Sequence, residues 1–219
     1  MSPLPSCAQL PPLQVFGGGP VLTANPEPYA AFFDVVLLGD GEDLLASFTQ
    51  AVQDIRSAGG GSRLERLLAL AAVPGVYVPS LYRPTYDGPE GGLLGIEAAH
   101  AGIPAFVQKQ TYRGGTLASS TVVSPRMAWE SIYMAEVVRS CPEMCRFCLA
   151  SYLTLPFRPA PLEGALIPAI QRGLEVTDRI GLLGAPVREW GCVCLHFPWA
   201  AWVRPRPACQ ERCAGGRLA

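Results

Sequence analysis

The chain of 219 residues is 49% hydrophobic and 16% charged with a formal net charge of −1, which excludes an intrinsically disordered chain and a basic face for nucleic acid or acidic lipid. Lys109 is the single lysine, and 23 glycines and 22 prolines punctuate the sequence. No run reaches the roughly 18 apolar residues of a membrane span and the start lacks a charged, then apolar, leader, so a cytoplasmic protein with reduced thiols is expected.

Residues 1–13, rich in Pro and Ser, predict irregular chain. Leu13–Phe16 predicts a short strand entering Gly17-Gly18-Gly19-Pro20, a turn that lets another group approach the backbone closely. The pattern is neither GxGxxG nor a P-loop and by itself reads as a turn. Residues 26–33 predict a short helix, and Asp34–Leu38 a buried strand of the parallel kind. After Gly39-Asp40-Gly41-Glu42, a helix is predicted over residues 43–57, with Leu44, Leu45, Phe48, Val52 and Ile55 at helical spacing. Strand and helix in alternation argue a doubly wound α/β sheet. Asp40 and Glu42 read as acidic residues at a helix N-terminus in preference to an acid/base or metal pair.

Gly59–Ser62 predicts a break, and residues 63–72 a second amphipathic helix that closes a first domain, 1–72. From Val73 onward the prolines, with Tyr77, Tyr82 and Tyr86 among them, predict an extended connection over 73–124, carrying short strands at Pro104–Gln108 and Ser120–Ser124. A second domain is expected over 125–185. Ala135–Arg139 predicts a strand that runs into a cysteine-bearing loop. A helix follows at 162–175 with Leu166, Ile167, Ile170 and Leu174 on one face, then a strand at Asp178–Gly184. Residues 186–219 hold three of the four tryptophans and four of the eight cysteines without a hydrophobic period. They read as an altered frame or degenerate end in preference to a zinc module built on Cys192, Cys194, Cys209 and Cys213.

The cysteine loop is Cys141-Pro-Glu-Met-Cys145-Arg-Phe-Cys148. Three thiolates so spaced suit a 4Fe–4S cluster and leave one iron open for a ligand from outside the protein. The alternative readings are a structural zinc site, which needs a fourth ligand, an electron-transfer cluster, which needs a fourth cysteine, and a disulfide. Arg139 and Arg146 flank the loop as residues that could tune cluster charge or hold a carboxylate.

The CxxxCxxC spacing, with Phe147 just before the third cysteine, resembles the signature of the radical S-adenosylmethionine (SAM) enzymes. The resemblance implies that Cys141, Cys145 and Cys148 hold the cluster, that SAM binds its open iron beside Phe147, and that a flavodoxin or ferredoxin supplies the electron. It implies reductive cleavage to a 5′-deoxyadenosyl radical that acts on an unnamed substrate by hydrogen abstraction or methyl transfer. Gly184 lies where the family's glycine-rich strand end touches SAM, although Gly184-Ala185-Pro186 departs from the usual Gly-Gly-Glu. Val15–Pro20, Val36–Glu42 and the Pro-Gly-Val-Tyr-Val-Pro stretch at Pro74–Pro79 resemble the cobalamin-type branch of that family. There Gly17 and Gly18 would border the nucleotide tail of cobalamin. The DxHxxG segment that supplies the lower ligand is absent, and neither His100 nor His196 has that context. The implied fold is the C-terminal part of a flavodoxin-like cobalamin-binding domain followed by the start of a partial (β/α) barrel, with the chain expected to be truncated at both ends and so inactive as a fragment. The competing expectation is a non-catalytic α/β protein that binds zinc or iron.

Overall fold

Val35, Val36 and Leu37 form strand β2 (Val35–Leu37), and all three are buried, as in a strand covered on both faces. The computed structural model describes residues 15–89 and 91–185, so Leu13 and Gln14 of the expected first strand, Cys7, and all expectations for 186–219 lie outside the described residues. β2 is the middle of a three-stranded sheet. Strand β1 (Phe16–Gly18) pairs with it in parallel, Phe16 opposite Val35, and β3 (Val76–Tyr77) pairs antiparallel, Val36 opposite Tyr77. Gly17 and Gly18 are therefore strand residues, not turn residues. The turn falls at Gly19, and Pro20 opens helix α1 (Pro20–Ala24), where a missing amide proton costs nothing. The helix expected at 26–33 is a 3-10 turn, Glu27–Phe32, since Pro26 and Pro28 withhold two backbone donors.

Helix α2 (Gly41–Ser57) sends Leu44 and Phe48 into the core with Val52 and Ile55 against it, while Leu45 faces outward. Helix α3 (Arg63–Ala71) buries Leu67, Leu70 and Ala71. Its start is a capping box: Glu65 N–H donates to the Ser62 hydroxyl at 3.2 Å, and Ser62 N–H donates to the Glu65 carboxylate at 2.7 Å. The stretch expected as an extended connection supplies much of the same core, for Val76, Tyr77, Val78, Leu81 and Tyr82 are all buried. Strands β4 (Tyr82–Tyr86) and β5 (Leu93–Ala98) then form an antiparallel hairpin with Tyr82 opposite Ala98.

Pro104–Gln108 and Ser120–Ser124 do not form strands; this part of the chain contributes isolated bridges, Gly39 with Gln110 and Ser119 with Ala135. At the first bridge Gly39 has φ 105°, and a Cβ there would stand 2.1 Å from the Gln110 carbonyl oxygen, so the returning chain can lie against the end of β2 only because position 39 is glycine.

The chain divides into two compact units, residues up to Arg113 with Tyr152–Thr154, and Gly114–Ser151 with the residues from Leu155 onward. The expected boundary lay near residue 73, before β3. In the second unit β6 (Tyr133–Glu136) pairs in parallel with β9 (Ile180–Leu183), Tyr133 opposite Ile180. β7 (Val138–Arg139) pairs antiparallel with β8 (Arg158–Pro159). The single strand expected at Ala135–Arg139 is split because the backbone changes partner at Val137, whose N–H donates to Leu183 at 2.8 Å and whose carbonyl accepts from Ala160 at 2.8 Å. A short helix α4 (Ala150–Leu153) lies between β7 and β8, and a π turn at Leu162–Leu166 leads into α5 (Ile167–Leu174). Tyr133, Ala135, Val137, Val138, Leu166 and Ile170 make the core. The architecture is mixed α/β, of small sheets and helices. No helix among the described residues is long and apolar enough to cross a membrane.

Candidate functional site

The cysteine loop begins where β7 ends. Ser140, directly after Arg139, has φ 72°, a left-handed conformation unfavourable for a residue with a Cβ, and it turns the chain out of the strand. Its side chain is buried and its hydroxyl donates to the Ser151 carbonyl at 2.9 Å. Cys141, Cys145 and Cys148 follow as free, partly buried cysteines. Met144 has φ 47°, and the Cys148 N–H donates to the Cys145 carbonyl at 3.0 Å, so the second and third cysteines share one tight turn. Phe147, between Cys145 and Cys148, is 93% exposed, and Arg146 is exposed as well.

As a donor set these residues fit an iron–sulfur cluster: three soft thiols, none in a disulfide, on one loop. Among the described residues no three His, Cys, Asp or Glu side chains are gathered closely enough to hold a metal ion, so the three thiols are present on the loop but not converged. His100 is exposed on a turn after β5.

At the base of the loop the Arg139 guanidinium grips Glu136 through two bonds, Nε to Oε1 at 2.9 Å and Nη2 to Oε2 at 2.7 Å. Only 12% and 16% of the two side chains is exposed, so Arg139 is a structural cation held by a carboxylate. Glu136 and Ser140 were not singled out from the sequence. The position of Ser140 next to the first cysteine is the one signal that could have drawn attention to it.

Gly184 directly follows β9, and a Cβ there would meet Val138 Cγ1 at 2.3 Å and Val137 Cγ2 at 3.2 Å. The absence of a side chain thus lets the end of β9 close on β7, which accounts for this glycine without a ligand. Gly17 and Gly18 belong to the other unit. A Cβ on Gly17 would stand 2.5 Å from Phe33 Cε1 and 3.0 Å from Leu22 Cδ1, and one on Gly18 would stand 3.0 Å from the Leu37 carbonyl oxygen. The room beside these glycines is taken by the protein's own groups, so they form no cradle for a nucleotide tail. Asp40 sits at the N-terminus of α2, but its carboxylate accepts the Tyr112 N–H at 2.8 Å and makes no side-chain cap. Glu42 lies exposed in the first turn of that helix.

Residues 8–79 match the family model described as radical SAM proteins, N-terminal. The matched residues include β1, β2, α2, α3 and β3, about a third of the chain, and stop short of the cysteine loop. The match supports a radical SAM protein, a family that in general uses SAM and a 4Fe–4S cluster. No curated protein and no solved structure matches the chain.

Proposed function

We propose that this chain is a radical SAM protein in which Cys141, Cys145 and Cys148 hold a 4Fe–4S cluster and SAM is cleaved reductively, with the substrate left open. The observation that carries the reading is the CxxxCxxC loop leaving β7 beside the parallel β6–β9 pair, in a chain whose preceding residues match a radical SAM N-terminal model. Loops at the C-terminal ends of parallel strands are where an α/β barrel carries its chemistry, and the β6–β9 pair with α5 between its strands is compatible with the start of a partial barrel.

When bound, the cluster would supply the electron that splits the SAM sulfonium into methionine and a 5′-deoxyadenosyl radical. The chain's own part is to present three thiolates as ligands, with Phe147 exposed beside Cys148 to lie against SAM and Gly184 keeping the end of β9 close to Val137 and Val138, the strand that leads into the loop. A flavodoxin- or ferredoxin-type reductant is the partner this chemistry needs. The first unit is proposed as a partial, flavodoxin-like domain of the cobalamin-binding type. With Gly17 and Gly18 packed against Phe33 and Leu37, no step is assigned to cobalamin.

The test is anaerobic reconstitution of the full chain with iron and sulfide, followed by EPR of the reduced protein with and without SAM. The expected result is a cluster signal that shifts on adding SAM and is lost in Cys145→Ala. Zinc in the protein as isolated and no cluster after reconstitution would establish the non-catalytic metal protein instead.

A further inference from the structure

We infer that Glu136, Arg139 and Ser140 are positioning residues that pin both ends of the cysteine loop, so that a cluster has only to draw its middle together; the inference rests on the cluster reading above. The entry to the loop is fixed by the Glu136–Arg139 pair. A bidentate guanidinium–carboxylate contact sets the relative orientation of both side chains, and these two are the last residues of β6 and β7. Glu136 is itself tied to the segment before β6 by a reciprocal contact with Ala118. Its N–H donates to the Ala118 carbonyl at 2.8 Å, and its Oε2 accepts the Ala118 N–H at 3.1 Å. Arg139 therefore stands on three pieces of chain fastened together. With its charge balanced by Glu136, it serves as a fixed support two residues before Cys141.

The second fastening closes the loop. Ser140 holds a left-handed backbone in which glycine would sit more easily, and its buried hydroxyl spans to the Ser151 carbonyl. Glycine would relieve the backbone and lose the bond; alanine would lose the bond and keep the strain. The serine thus joins the residue before Cys141 to a residue just after Cys148, and all three thiols lie between the joined ends. Groups that orient ligands without touching the metal commonly alter how tightly a site holds it.

The experiment uses the full chain, reconstituted anaerobically with iron and sulfide, in wild type, Ser140→Ala, Arg139→Ala, Arg139→Lys and Cys145→Ala. Iron and labile sulfide per chain, retention of iron against a competing chelator, and the EPR signal of the reduced cluster are measured beside the circular dichroism of each variant. Ser140→Ala and Arg139→Ala are expected to lose iron at roughly tenfold lower chelator concentration than wild type, with an altered EPR line shape. Lysine at 139, a cation without the two-pronged grip, is expected to restore only part of the retention. If Arg139→Ala loses the folded spectrum, Ser140→Ala, which removes one hydroxyl, decides. Wild-type retention and line shape in Ser140→Ala and in the folded Arg139 variants, with loading abolished in Cys145→Ala, overturns the positioning role and leaves the cluster site standing. Full loading in Cys145→Ala, or none in wild type, overturns both.

Discussion

Tyr77 couples the stability of the first unit to alkaline pH. The side chain is buried, its hydroxyl donates to Glu27 Oε1, and its ring lies 5.0 Å from that of Tyr82. Burial, and then the neighbouring Glu27 carboxylate, push the phenol well above its ordinary value of 10.0. The folded state therefore keeps a proton that the unfolded chain gives up, so this contribution is intact below pH 10 and is lost as pH rises above it. For one tyrosine the loss is about 0.4 kcal/mol at pH 10 and about 1.4 kcal/mol at pH 11. Tyr77→Phe keeps the packing and removes the proton. At pH 8 it should cost about 1.5 kcal/mol, the low end for a hydrogen bond to a charged group, since water can reach the partly exposed carboxylate. The gap between wild type and variant should accordingly close to near zero by pH 11. Urea denaturation midpoints from pH 8 to pH 11 measure this. A gap that stays constant to pH 11 would mean that the phenol ionises as readily folded as unfolded, which refutes its burial against Glu27.

Three further outcomes can be checked in the same way. Ser62→Ala removes the hydroxyl half of the α3 capping box and should lower stability by about 1 kcal/mol in urea titrations, with Ser62→Asp restoring most of it. Gly39→Ala forces a Cβ onto the Gln110 carbonyl at a left-handed backbone position, and a loss of about 3 kcal/mol or more is expected, seen as a lowered thermal midpoint. Ile170→Ala empties a fully buried position in the second unit and should cost about 2–5 kcal/mol, read as faster amide exchange in α5 and β6 with α2 and α3 unaffected.

The elements legible in the sequence are those whose hydrophobic period is long or whose apolar run is continuous. Leu44 to Ile55 repeats at helical spacing and is α2; Val35 to Leu37 is an unbroken apolar run and is β2. What was not legible depends on a partner distant in sequence. Val76 and Tyr77 stand between Pro74 and Pro79 and look like a linker, yet two residues suffice for a strand when β2 already offers an edge. Tyr82, Pro84 and Tyr86 belong to a hairpin because Leu93–Ala98 returns alongside them. The reverse holds at Pro104–Gln108, which has strand-like composition but pairs with no strand among the described residues. At the candidate site the spacing of three cysteines could be read directly, since it is local. The grip of Glu136 on Arg139 and the bond from Ser140 to Ser151 could not, because each needs the bend at the end of the sheet that only the folded chain provides.

The parallel pairing of β6 with β9 makes the cysteine loop part of a kinetic problem as well as a chemical one. Everything from Val137 to Arg179 must be looped out before Tyr133 can meet Ile180, and the entropy of closing a loop rises with its length, by about 0.6 kcal/mol per doubling. A ligand that draws the three cysteines together ties off only residues 141–148 of that crossover, a saving of about 0.2 kcal/mol, so the parallel pair of the second unit has to close across nearly the whole crossover with or without it.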